Sequence, residues 1–162
     1  MAGDSDLGRR FEKERREVLT MPRSAEEAKK SVLDMRKKML DGHPNPSKLF
    51  NIKHDRGGMV DVEFVVQYLV LSASSAHPEL ANNFGNILLL EMAARLGLVD
   101  KELMPAAVKA YRRYRALQHE IRLNSGEGVP LRVPHELVSD EKAAVLALWR
   151  SVFGTDDPQR GE

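Results

Sequence analysis

The sequence predicts an all-α fold, a bundle of five to six helices of the up-and-down type with an N-terminal helical arm. Three observations predict it. Apolar residues recur at helical spacing in several separate stretches, most regularly at Leu103, Ala107, Ala110, Tyr114, Leu117 and Ile121. Capping residues, prolines and glycines punctuate those stretches at short intervals. No stretch carries the sustained apolar–polar alternation of a half-buried sheet.

Residues 4–20 read as the arm, with Leu7, Phe11 and Val18 on one side and Glu and Arg on the rest. Pro22 breaks the pattern. Ser24-Ala-Glu-Glu27 then has the form of a capping box, in which Ser24 and Glu27 satisfy free amides at a helix start. Ala28, Val32, Met35 and Met39 form the apolar stripe of this second helix, which ends near Asp41-Gly42. Pro44 and Pro46 forbid a helix in the connector 43–56, where Phe50 and Ile52 bracket one short extended segment. Met59 to Ser74 is apolar all round, the mark of a helix buried between neighbours, and is expected to be the central helix.

His77-Pro78 ends that helix, and Phe84 to Leu96 forms the next, with Glu91 and Arg95 as an i,i+4 pair and Gly97 just past its end. Asp100 is placed to cap the helix that carries the regular stripe, and Lys109, Arg112 and Arg113 lie opposite that stripe. SGEGVPLRVP is loop. Ser139 is expected to cap a last helix that turns Leu148, Trp149, Val152 and Phe153 to the core. The organisation expected is an arm or hairpin over 1–42 packing on a bundle over 43–153, followed by a disordered tail, 154–162.

A chain of 162 residues with 25 basic and 24 acidic side chains lacks the basic excess of a nucleic-acid or membrane-surface protein. It has no cysteine, which excludes disulfides, thiolate metal sites and cysteine nucleophiles. No apolar run reaches the ~18 residues of a membrane span, and the first residues have no signal-peptide core. A cytoplasmic location is expected.

The stretch from Lys53 to Leu71, KHDRGGMVDVEFVVQYLVL, is where ionisable groups and the core meet. Lys53, Arg56, Gly57 and Gly58 precede a helix start, where outward amides and the helix dipole favour an anion. The same glycines also serve a tight turn into the core. Asp61 and Glu63 lie two residues apart, so on a helix they diverge by about 200° and do not grip one metal. Acids at a helix start are also stabilised by the dipole alone. The five histidines, His43, His54, His77, His119 and His135, have no metal-ligand spacing. The stretch contains no P-loop and no dinucleotide fingerprint. No catalytic residue and no metal ligand is assigned.

The spacing K-x-x-x-G-G-M-V-D-V-E-F-V-V-Q-Y-L resembles the helical domain of the bacterial glutamine synthetase adenylyltransferase/adenylyl-removing enzymes. It does so through Lys53, Gly57, Gly58, Asp61, Glu63, Phe64, Gln67, Tyr68 and Leu69. The segments AGDSDLGRRFEKERREVL, Asn86 to Glu91, and Ala110 to Leu123 extend the resemblance over most of the chain. The D-V-E-F form is similar to the second, adenylylating half of that enzyme. The sequence WRSVF at 149–153 is similar to its C-terminal end.

The resemblance implies a parent enzyme that uses ATP and Mg²⁺ to transfer AMP to a tyrosine of glutamine synthetase. It implies three partners: a preceding nucleotidyltransferase domain, glutamine synthetase and the PII signal protein. It also implies that Lys53, Gly57, Gly58 and Asp61 face the nucleotide cleft, while Glu63, Phe64, Gln67 and Tyr68 serve structure or the domain seam. The Gly-Ser…Asp-x-Asp element that holds metal in the family is absent here. This chain is therefore expected to hold neither ATP nor Mg²⁺ alone and to be inactive by itself. Gly85-Asn86 replaces the family's Asp-Asn. A non-enzymatic helical interaction module is the alternative.

Overall fold

The computed structural model describes residues 2–22 and 24–154. Its helices are α1 (Ala2–Leu19), α2 (Ala25–Gly42), α3 (Met59–Ala73), α4 (Asn86–Arg95), α5 (Met104–Ser125) and α6 (Ser139–Phe153). Short 3₁₀ turns occupy Pro78–Ala81 and His135–Val138, and two short strands are β1 (Phe50–Asn51) and β2 (Arg132–Val133). The all-α reading holds, with this one addition. β1 and β2 pair antiparallel, Phe50 opposite Val133 and Asn51 opposite Arg132, and the Ile52 N–H extends the ladder to the Leu131 carbonyl at 2.9 Å. The ladder staples the connector before α3 to the loop after α5.

α3 is the axis. It packs against α2, α4, α5 and α6, and Val62, Val65, Val66 and Leu69 are among its buried residues. Its start at Gly58 has no side-chain cap; burial rather than capping holds it. α5 and α6 pack on each other and on α3, turning in Tyr114, Leu148, Trp149 and Phe153. The α5 stripe falls as its spacing requires, with Ala107, Ala110, Tyr114 and Leu117 buried.

Ser24 caps α2 by accepting the Glu27 N–H at 3.4 Å. The phase of α2 differs from the expected stripe. Ala28 and Val32 are buried, but Met35 is 49% exposed, and the residues turned inward are Leu33 and Arg36. The helix rolls so that a charged side chain, not a methionine, meets α3.

Three smaller expectations also change. Ser139 is the first residue of α6 rather than its cap. Asp100 accepts the Glu102 N–H at 2.8 Å in the turn before α5, which starts with Pro105 in its first turn. Glu91 meets Arg112 of α5 at 4.0 Å. Gly97 and Gly154 end their helices with positive φ. The remainder of the expected tail, 155–162, lies outside the described residues.

α1 stands apart. Leu7, Phe11 and Val18 are 68%, 65% and 55% exposed. Arg15 donates to the Ala81 carbonyl at 2.7 Å and Arg16 to Asn82 Oδ1 at 2.5 Å, which straps α1 to the 3₁₀ turn. The exposed pairs within it, such as Lys13–Glu17, contribute about 0.3–0.5 kcal/mol each.

The roll of α2 predicts opposite outcomes for two near neighbours. Leu33→Ala will lower unfolding free energy by about 2–5 kcal/mol, and Met35→Ala by less than about 0.5 kcal/mol, both read from urea titration. Equal losses would contradict the observed phase.

Candidate functional site

The connector into α3 is built by short polar side chains that bond to their own backbone. Asn45 Nδ2 donates to the Leu49 carbonyl and to Asp55 Oδ2, each at 2.7 Å. Asp55 Oδ2 also accepts the Asn51 N–H at 2.9 Å, and Asn51 Oδ1 accepts the N–H groups of Lys53 and His54 at 3.0 Å. The chain then folds back tightly. The Met59 N–H reaches the Ile52 carbonyl at 2.8 Å and the Gly58 N–H the Asp55 carbonyl at 2.9 Å.

Both glycines are required by geometry. Gly57 has φ +91°, and a Cβ there would lie 2.6 Å from Lys142 Cγ. A Cβ on Gly58 would lie 2.6 Å from the Ile52 carbonyl oxygen, a backbone atom that cannot move aside. Both residues are buried.

Asp61 ends this turn, and it is fully buried. Its Oδ1 accepts from Arg36 Nε at 2.7 Å; its Oδ2 accepts from Arg56 Nη1 and from the Gly57 N–H, the latter at 2.7 Å. Arg36, also fully buried, spends a second donor, Nη2, on the His54 carbonyl at 2.7 Å. The Arg56 guanidinium lies over the Trp149 ring, 4.3 Å from its centroid. The Tyr114 hydroxyl donates to the Gly57 carbonyl at 2.8 Å, and burial raises its phenol above the ordinary range. One carboxylate thus joins α2, the turn and α3, and the groups around it bring in α5 and α6.

The expected site residues separate into two directions. Lys53, Gly57, Gly58 and Asp61 do meet in one turn. However, Asp61 does not face a cleft, since its side chain is closed from solvent with donors on both oxygens. Lys53 is half-buried, and its charge opposes the rise that burial gives the Glu63 carboxyl.

Glu63 points elsewhere, as the helical angle requires. It lines a groove of about 700 Å³ between α1, α3 and α4, with Arg15, Gln67 and Asn86 as polar neighbours and Val66, Phe84 and Leu89 among the apolar ones. Gln67 is exposed there. Phe64 is core, 6% exposed, and Tyr68 rests on Phe153 with ring centroids 5.1 Å apart. Asn86 donates to the Tyr111 hydroxyl at 3.2 Å.

Arg36 is the residue that sequence reasoning passed over. The signal was its i+4 place after Ala28 and Val32, which puts a guanidinium on the inward stripe. The S-x-x-K spacing at Ser139–Lys142 was also passed over. No hydrogen bond joins those two side chains among the described residues, and Lys142 Nζ lies 5.3 Å from the Phe50 ring centroid.

His54 stacks on His43 with centroids 3.8 Å apart. Burial, with help from His43, Lys53 and Arg36, lowers its pKa to about 4, while Asp55 opposes the shift. Among the described residues no three His, Asp or Glu side chains gather to hold a metal ion, and no helix is long and apolar enough to cross a membrane.

Fold and site together define an all-α domain organised around a glycine turn and a buried Arg–Asp–Arg cluster. The chain belongs to the family described as GlnD PII-uridylyltransferase, whose sequence model matches residues 25–149. Similar curated relatives carry the name bifunctional glutamine synthetase adenylyltransferase/adenylyl-removing enzyme. That of Nitrosomonas eutropha is 45% identical over 94% of this chain and 18% of its own length. Those of Burkholderia mallei and Ralstonia nicotianae are 50% and 49% identical over 94% and 96% of this chain and 16% of their own lengths. The chain therefore spans about a sixth of the relatives that it matches.

Two outcomes follow from the cluster. Arg36→Met and Asp61→Asn will each cost about 3–5 kcal/mol, because each leaves a buried charge or donor uncompensated. The double variant will cost less than the sum by about 1–3 kcal/mol in a denaturant-based cycle. Additive losses would show that the two do not act as a pair.

The second outcome concerns pH. The unfolded chain protonates His54 near its ordinary value of 6.5, but the folded chain resists until about 4. The stability His54 confers by staying neutral is present above the first value and is lost as pH falls through that window. His54→Gln will flatten this part of the stability profile; an unchanged slope would rule His54 out as its source.

Proposed function

We propose that this chain is the helical part of a longer nucleotidyltransferase that moves AMP from ATP to a tyrosine of glutamine synthetase. The observation that carries this reading is the 45–50% identity, over at least 94% of the chain, to relatives named for that activity. The family description names uridylyl transfer instead; the identity to the named relatives favours adenylyl.

In this reading ATP and Mg²⁺ are held by a nucleotidyltransferase domain elsewhere on the polypeptide. The donor set here supports that division. A magnesium–nucleotide centre needs open carboxylates, and both oxygens of Asp61 already accept guanidinium and amide hydrogens. Asp61, so engaged, does not fit a Mg²⁺ site, and among the described residues no three His, Asp or Glu side chains gather to form one. Its work is to support that domain's cleft through the Lys53–Asp61 turn and to meet neighbours through Glu63 and Gln67, with Phe64 and Tyr68 fixing the helix beneath them. Glutamine synthetase and the PII protein are the expected partners, in the cytoplasm.

The second reading, a non-enzymatic interaction module, draws on the exposed Leu7–Phe11–Val18 face.

The test uses the longer protein with glutamine synthetase, Mg²⁺ and labelled ATP. AMP will appear on a glutamine synthetase tyrosine. Glu63→Gln combined with Gln67→Ala will slow its transfer by about tenfold or more with little change in thermal midpoint. Label transferred only from UTP would assign the other chemistry of the family. No transfer from either nucleotide, with retained binding of glutamine synthetase, would leave the interaction module standing.

A further inference from the structure

We propose that the groove between α1, α3 and α4 docks an amphipathic helix of a partner protein, one whose apolar side carries an arginine or lysine. A surface helix ordinarily packs its apolar stripe against the core. α1 does not. Arg15 and Arg16 strap it to the 3₁₀ turn near its C-terminal end, and Leu7, Phe11 and Val18 stay more than half exposed. Phe84, which leads into α4 and also lines the groove, is exposed as well. Val66, Val70 and Leu89 add buried carbon to the lining. The space of about 700 Å³ is thus an open apolar seam.

Charge decides what kind of helix fits. Leu7, Phe11, Glu14 and Val18 recur at 4-3-4 spacing, so Glu14 interrupts the apolar stripe of α1. Glu63 of α3 lines the same groove. Neither carboxylate has an ion-pair or side-chain hydrogen-bond partner among the described residues, whereas Asp6, Glu12 and Glu17 of α1 pair with Arg9, Arg15 and Lys13. Lys53 opposes the rise that burial gives the Glu63 carboxyl, but it does not close on it as an ion pair. Arg15 is the one cation among the groove's lining residues, and its Nη1 is taken by the Ala81 carbonyl at 2.7 Å and by Glu12 at 3.7 Å. A ligand that filled the groove with carbon alone would strip water from two unpaired carboxylates. One that brings a guanidinium or an ammonium offsets that cost with a charge-assisted bond.

The walls decide the backbone of the occupant. α1, α3 and α4 are helices, which spend their N–H and C=O groups on their own ladders. They offer no sheet edge, so an extended chain laid in the groove would leave its backbone groups unpaired away from water. A helix meets that demand internally and presents anchors at i, i+4 and i+7. Leu7 and Val18 are eleven residues apart, about 17 Å of axial rise or roughly three turns. The inference rests on the reading above in having Glu63 and Gln67 meet a neighbour, and it names that neighbour's chemistry. Binding is measured without AMP transfer, so the two fail separately.

The experiment titrates the 162-residue chain into a fluorescein-labelled helical peptide and reads anisotropy. The peptide is alanine-based and about fifteen residues long, with leucines at i, i+4 and i+7 and an arginine at i+3. A second peptide has glutamate in place of the arginine, and a third has glutamine in place of the leucines. The arginine peptide will bind, and the other two will bind about tenfold more weakly or worse. Glu14→Gln with Glu63→Gln will weaken the arginine peptide by about tenfold, with the fold intact by circular dichroism. Phe11→Ser will weaken it too. Glu102→Gln with Glu127→Gln, a matched charge loss elsewhere on the surface, will leave it unchanged. Absence of binding by the arginine peptide overturns the site. Equal binding of the arginine and glutamate peptides, or equal loss in both double variants, overturns it as well. Self-association of the chain in sedimentation, abolished by Phe11→Ser, would overturn it by assigning the groove to a second copy.

Discussion

The structure depends on one buried carboxylate. Asp61 sits at the start of the central helix, fully enclosed, and takes hydrogens from Arg36 of α2, Arg56 of the turn and the Gly57 amide. Removing a carboxylate and two guanidinium groups from water is costly, and such clusters rarely stabilise more than a well-packed apolar substitute would. What the cluster supplies is position. An apolar contact between α2 and α3 would tolerate sliding; two charge-assisted bonds and one amide bond to a single carboxylate do not. The roll of α2 that exposes Met35 is the visible consequence.

That constraint reaches every neighbour of α3. Arg56, directed by Asp61, lies on Trp149 and so sets the height of α6 against the turn. The Gly57 carbonyl, oriented by the same fold of the chain, receives the Tyr114 hydroxyl and so fixes α5. The two glycines follow from this closeness, since a Cβ on either would meet Lys142 or the Ile52 carbonyl at 2.6 Å. A loss of activity on changing Asp61 in a longer protein would for this reason report displaced helices before it reported lost chemistry. The more exposed Glu63 and Gln67 are better probes of contact with a neighbour.

Helices were legible because their signals are local. The stripe of α5 and the all-apolar run of α3 each state a period and a burial that the structure repeats. Phase was less legible in α2, where apolar counting favours Met35 over Arg36. Arg36 belongs inside only because Asp61, 25 positions later, is there to meet it, and such pairing is invisible to any local window. The β1–β2 staple is another long-range event, joining two loops; Phe50-Asn51-Ile52 and Leu131-Arg132-Val133 each alternate, but three residues do not name the partner strand. At the candidate site, the divergence of Asp61 and Glu63 followed from helix geometry alone. Which of the two turned inward did not, because both positions are compatible with a helix start and only the partner arginines decide. The exposed face of α1 shows the same limit, since its stripe of Leu7, Phe11 and Val18 states a phase without naming what covers it.

The turn therefore has two faces with different physical tasks, and its sequence mixes them. Gly57, Gly58 and Asp61 look inward and hold helices; Arg56 does so with one nitrogen while its guanidinium also lines the pocket toward α6. A residue shared in this way couples the two faces. Among the contacts of that guanidinium are Asp61 and Trp149, which help to register α2 and α6 on α3. Because a packed core adopts discrete arrangements rather than deforming smoothly, a small displacement at Arg56 would be resisted by Asp61 and passed on to α6 through the Trp149 ring.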